Sequence, residues 1–141
     1  MNLMEMVLAL LAVVFFSTIA LMYKQSVWDQ NELLINAQQY VQASHLSHTV
    51  LDEVDAKLFS KQLTFAGIKT TYNTQRTLSL AHTGGQYILN ITAVSTDSLG
   101  TVLASPPANN IYTRVTVRTA TAGLKTPVTM SRLYTKTHLN L

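Results

Sequence analysis

The sequence predicts an α+β protein: a long N-terminal α-helix, hydrophobic in its first half, packed by its second half against a small antiparallel β-sheet head of about four strands. Three observations lead there. The chain opens on an apolar run, with eighteen uncharged residues from Met6 to Tyr23. All 5 glycines and all 3 prolines lie beyond residue 60, so the front is free of helix breakers. Charge divides at the same place, with two lysines against six carboxylates up to Ser60 and eight cations against a lone Asp97 after it. A modest overall +3 therefore conceals an acidic half joined to a basic half.

At 141 residues the chain suits one unit with two unlike halves better than two ordinary domains. Three stretches follow: residues 1–25 as an apolar, membrane-compatible helix, 26–60 as its amphipathic continuation, and 61–141 as a β-rich globular head. No cysteine is present, which excludes a disulfide framework, a thiolate metal site and a cysteine nucleophile.

The first stretch, as a helix, rises about 27 Å over Met6 to Tyr23, at the lower limit for crossing a hydrocarbon core of about 30 Å. A cleavable signal peptide fits poorly. No Lys or Arg precedes Lys24, and "ALMYKQSVW" offers no small-residue cleavage pattern. Tyr23 and Trp28 stand where interfacial aromatics belong.

Glu5 is the acid at the edge of this run, and the next charge is Lys24. A carboxylate in the first turn of a helix gains about 0.3–1 kcal/mol from the macrodipole, which accounts for tolerance of an acid but not for a need. Within an apolar zone the same group is costly, about 2.5–3.5 kcal/mol for Asp at a span centre and less near an end, so it calls for a partner. Since no basic side chain precedes Lys24, that partner is a chain terminus: the amine of Met1, its own or a neighbour's.

The stretch "MNLMEMVLALLAVVFF" resembles the mature N-terminus of type IV pilins and their pseudopilin relatives, the type IV pilin-like superfamily. In that family an aliphatic or aromatic first residue and a glutamate at the fifth place open a long apolar helix. The likeness is close over about the first 25 residues and beyond them extends only to the plan of helix first, β-rich head after. It implies that a prepilin peptidase removes a basic leader before Met1, with methylation of the new amine, and that pilus assembly machinery then takes up the subunit. It further implies that Glu5 neutralises the terminal amine of an adjacent subunit as each copy leaves the inner membrane for the growing fibre. Leu3, Val7, Leu10, Leu11, Val14, Phe15 and Ile19 become the filament-core packing positions.

The chain departs from the family pattern in two respects. Met22 stands where many pilins have a helix-breaking proline and Val14 where many have a glycine, so this helix is expected to stay continuous. The head also lacks the disulfide that closes the last loop in many members.

Beyond Lys24, "QSVWDQNELLINAQQYVQASHLSHTVLDEVDAKLFS" carries apolar residues near helical spacing at Val27, Leu34, Ala37, Val41, Leu51, Val54 and Leu58. One side packs and the other is wet. A helix of this length outruns what a head of about 80 residues can cover, and contiguous exposed apolar surface is rarely left free in a monomer. Copies of the chain can cover it, because a head-to-tail contact that does not close into a ring grows an open helix. His45 and His48, one turn apart with Asp52 beyond them, could hold a metal, but a solvated polar face is the simpler reading.

In the basic half, "RTLSLAH", "QYILNITAV", "NIYTRVTVRT" and "PVTMSRLYT" alternate as strands, with Gly84 and Gly85 as a hairpin turn. "STDSLG", "SPPANN" and "TAGLKTP" read as loops, and "QLTFAG" offers a further edge strand. The apolar face of the sheet is expected on the helix around Val41 to Leu58. Arg114, Arg118, Arg132 and Lys136 form a candidate stripe for DNA phosphates or other anions. Base-stacking aromatics are sparse, so the preferred reading is that these cations face Asp52, Glu53 and Asp55 of another subunit or simply keep the sheet soluble. Asn90-Ile91-Thr92 is a glycosylation sequon placed inside a strand. No nucleophile elbow, phosphate loop or metal-ligand cluster is present, so neither enzymatic activity nor a cofactor is expected.

These readings converge on a structural subunit that polymerises through its N-terminal helix into an extracellular surface filament serving adhesion or motility. It would reside in the cell-envelope membrane as a precursor. A pseudopilin of a secretion system is the close variant. A monomeric membrane-anchored protein with a basic ligand- or nucleic-acid-binding head is the reading of a different class.

Overall fold

The structure is a computed structural model that describes residues 2–80 and 85–138. Element order follows the expected plan: α1 (Leu3–Phe59), α2 (Gly67–Thr71), β1 (Thr74–Ser79), β2 (Gln86–Ser95), β3 (Tyr112–Thr121), β4 (Val128–Thr135) and a closing 3-10 turn, Lys136–His138. Within α1 no break falls at Val14 or Met22. By contacts the chain forms two units, Met1–Ala37 and Gln38–Leu141, each taken separately below.

In the Gln38–Leu141 unit, the C-terminal part of α1 lies on a four-stranded meander of order β1-β2-β3-β4, antiparallel throughout. The α1 residues that become buried are Ala43, Ser47, Val50, Leu51, Val54 and Leu58, at helical spacing. They meet the inward face of the sheet: Tyr87, Leu89, Ile91 and Ala93 from β2, Val115 and Val117 from β3, Val128 and Tyr134 from β4. Period-two alternation places these residues inward, and the register keeps them there, with Ile91 opposite Val117 and Ala93 opposite Val115. Each large aliphatic buried here contributes about 1.5–3 kcal/mol. Ser47 allows close approach where α1 crosses β3; its hydroxyl shares a 2.7 Å hydrogen bond with that of Thr119 and donates to the Ala43 carbonyl at 2.9 Å.

Two arginines from the outer strands share this inward face. Arg76 of β1 sits opposite Leu89, and Arg132 of β4 sits opposite Val115. Both reach α1, Arg76 at Glu53 (2.6 Å) and Arg132 at Asp52 (3.1 Å) and Asp55. The apolar ridge of Leu51, Val54 and Leu58 is therefore flanked by ion pairs on both sides.

The stretch "QLTFAG" is not an edge strand. Helix α1 ends in a left-handed turn at Lys61 (φ 58°), after which the Leu63 amide bonds back to the Lys57 carbonyl at 3.0 Å. Leu63 is thereby drawn into the core, and Gly67 opens α2 rather than closing a strand. The alternation of Leu63 and Phe65 reflects one buried and one half-buried side chain of a turn. The first hairpin retains the Leu80 amide to Gly85 carbonyl bond at 3.3 Å, while Gly84 lies outside the described residues.

Candidate functional site

The Met1–Ala37 unit is helical from Leu3 onward, and no side chain of α1 before Ala43 is buried. Among the described residues α1 is the one helix long and apolar enough to cross a membrane. Leu3, Val7, Leu10, Leu11, Val14, Phe15 and Ile19 are all exposed, from 47% at Ile19 to 81% at Leu3. Met4, Met6, Leu8, Val13, Phe16, Leu21 and Met22 are exposed as well. Apolar residues thus occupy every side of the cylinder, a pattern suited to surroundings of lipid or of other apolar helices.

At its start, the Glu5 carboxylate accepts the Asn2 backbone N–H at 3.1 Å, and the Glu5 amide donates to the Asn2 carbonyl at 2.8 Å. This is the reciprocal half of a capping box, in which the acid at the third helical position satisfies an otherwise orphaned amide. Glu5 accordingly serves its own helix. The expected counter-charge, the amine of Met1, lies outside the described residues. Further along, Thr18 donates to the Val14 carbonyl at 2.7 Å, satisfying its hydroxyl within the helix without interrupting it.

The four basic residues singled out from the sequence do not gather into one stripe. Arg114 and Arg118 occupy the outward face of β3, opposite Leu133 and Thr129 of β4. Arg114 is tied down, donating to the Gly100 carbonyl at 2.8 Å, while Arg118 is exposed. Arg132 faces inward and is committed to Asp52 and Asp55. Lys136 stands past the end of β4 and lines a separate cleft. The pairing of cations with the acidic stretch of α1, expected between subunits, is thus made by Arg132 and Arg76 within the chain. His45 and His48 are both exposed on α1, and Asp52, the third group of that candidate, binds Arg132. Asn90 of the sequon is exposed in β2.

Sequence reasoning missed the most concentrated electrostatic arrangement in this unit. Glu53 receives Arg76, Lys57 (2.6 Å) and the Tyr72 hydroxyl (3.1 Å), and both cations also lie over the Tyr72 ring, at 5.5 Å for Arg76 and 5.6 Å for Lys57. The hydrogen bond from Arg76 is the largest influence in holding the Glu53 carboxyl at about 2, outweighing burial, which acts in the opposite direction. Burial pushes the Tyr72 phenol up, and the bond to Glu53 raises Arg76 and Lys57. Only the Lys57–Glu53 pair, four residues apart, was visible as a helical spacing.

Comparison with protein-family models finds no match, and neither curated proteins nor solved structures supply one.

Proposed function

We propose that this chain is a pilin-like structural subunit that polymerises through the apolar part of α1 into an extracellular filament. One observation carries the reading: the first turns of α1 expose apolar side chains on every side and are opened by a single acid, Glu5. A bilayer suits such a surface before assembly and a bundle of identical helices suits it afterwards, each large side chain buried there gaining about 1.5–3 kcal/mol once the alternative is water. Glu5 gives the surface a register. In a growing fibre its carboxylate exchanges the local Asn2 amide for the terminal amine of a neighbour, a charge-assisted and stronger bond. A pseudopilin that forms a short fibre within a secretion apparatus uses the same surface in the same way.

The test is the Glu5→Gln variant in the native host. The amide still accepts a hydrogen bond from Asn2 but carries no charge for an incoming amine, so insertion and the fold of the Gln38–Leu141 unit should persist while filament yield falls sharply. Filaments at wild-type yield would refute the role of Glu5. Wild-type protein that stays monomeric when solubilised and never enters sheared surface material would refute polymerisation and establish an anchored monomer.

A further inference from the structure

We propose that a cleft in the Gln38–Leu141 unit binds a small organic carboxylate, with Lys69, Ser95, Thr113 and Lys136 engaging its charged end. The cleft has a volume of about 620 Å³, within the usual range for small-molecule sites. Its walls come from α2 and the turn before it, from the ends of β2 and β3, from the Pro106–Pro107 loop and from the turn after β4.

Three features point to an anionic ligand. Thr113 is 1% exposed and lines the cleft, yet its hydroxyl has no hydrogen-bond partner, a condition that folded proteins seldom leave unmet. Lys69 and Lys136 both line the cleft, and among the described residues that line it there is no Asp or Glu. The half-buried Lys69 ammonium donates to the Ser95 hydroxyl, leaving two of its three N–H groups for a ligand. Positive charge with no side-chain carboxylate among the described lining residues, in a partly enclosed site, attracts anions.

The remaining lining narrows the class. Two point-charge ammoniums and two hydroxyls match the acceptor sites of one carboxylate. Among the described lining residues there is no arginine fork of the kind that favours a phosphate. Phe65, Ala66, Pro106 and Pro107 supply apolar surface for a compact aromatic or short aliphatic body. The side chain of Asn110 is consumed by the Tyr112 backbone, to which it donates at 2.8 Å and from which it accepts at 3.2 Å, and so it stiffens the loop.

The experiment titrates the full chain, held in nonionic maltoside micelles, with benzoate and with benzyl alcohol, its uncharged analogue, and follows backbone amide shifts. Benzoate should give saturable shifts at Lys69, Ser95, Ile111 and Thr113, binding at least tenfold more tightly than benzyl alcohol. Lys69→Gln should weaken benzoate by about tenfold, the loss of one charge-assisted bond, and Thr113→Val by a few-fold. Should Lys69→Gln fail to fold, Lys136→Gln at the exposed lysine should still weaken benzoate several-fold. Shifts that never saturate, equal binding of benzyl alcohol, or a benzoate affinity indifferent to loss of the lysine charge would each overturn the proposal.

Discussion

Replacing Glu53 by Gln should remove a pH-dependent share of the stability of the Gln38–Leu141 unit. The folded carboxyl sits at about 2 against an ordinary 4.5, chiefly because of its bond to Arg76. That difference corresponds to about 3 kcal/mol. The Glu53 side chain is 31% exposed, and solvent screening reduces the figure to about 1–2 kcal/mol. A depressed acid stabilises the fold fully above its unfolded value and loses that contribution as pH falls through its folded value. The wild-type advantage over Glu53→Gln should therefore hold from neutral pH to about 4.5 and shrink between 4.5 and 2. Urea unfolding of the full chain in nonionic detergent, followed by far-ultraviolet circular dichroism from pH 7 to 2, measures the gap. Arg76→Gln should produce the same pH dependence, and the double variant should lose less than the sum of the two. A gap that stays constant across the acid window, or one below about 0.3 kcal/mol at pH 7, would refute the reasoning.

Three further substitutions probe the same unit by the same unfolding measurement. Lys61→Gly should stabilise by about 0.5–1 kcal/mol, because Lys61 holds a positive φ of 58° that costs a side-chain-bearing residue and not glycine. Ser47→Ala should cost about 1–2 kcal/mol, since it deletes a buried bond and leaves the Thr119 hydroxyl alone; a change below about 0.3 kcal/mol would mean that water reaches the site. Gly123→Ala should be neutral within about 0.5 kcal/mol. The new methyl would crowd the Gln39 amide end, but that end belongs to a flexible side chain whose buried oxygen is unbonded, so it can swing away at little cost.

Much of the architecture was legible because it follows from periodicity. The absence of Gly and Pro before residue 60 marked α1, and the alternation of Val115 and Val117 with Arg114, Thr116 and Arg118 marked β3 and its two faces. The edge strand expected at "QLTFAG" failed because a left-handed Lys61 is invisible to residue-type preferences that assign such turns to glycine. The basic stripe dissolved for a reason of register: Arg132 falls opposite Val115 and not opposite Arg114, which only the β3–β4 alignment determines. The Glu53 cluster joins residues 19 and 23 apart in the chain, and the cleft joins Lys69 to Ser95 across 26 residues. Contacts of that kind have no local signature. Glu5 was legible as a solitary acid, and its place at the third helical position fits the capping bond it makes.

The inward placement of Arg76 on β1 and Arg132 on β4 bears on how copies of this chain can meet. Those strands are the two free margins of the meander, where unpaired backbone groups invite another strand to add on. A strand that added there would set its own side chains beside a guanidinium already neutralised by α1, and an apolar one would gain nothing from that neighbour. Edge-to-edge addition of a further strand is thereby discouraged at both margins, so the sheet can stand close to another without fusing with it.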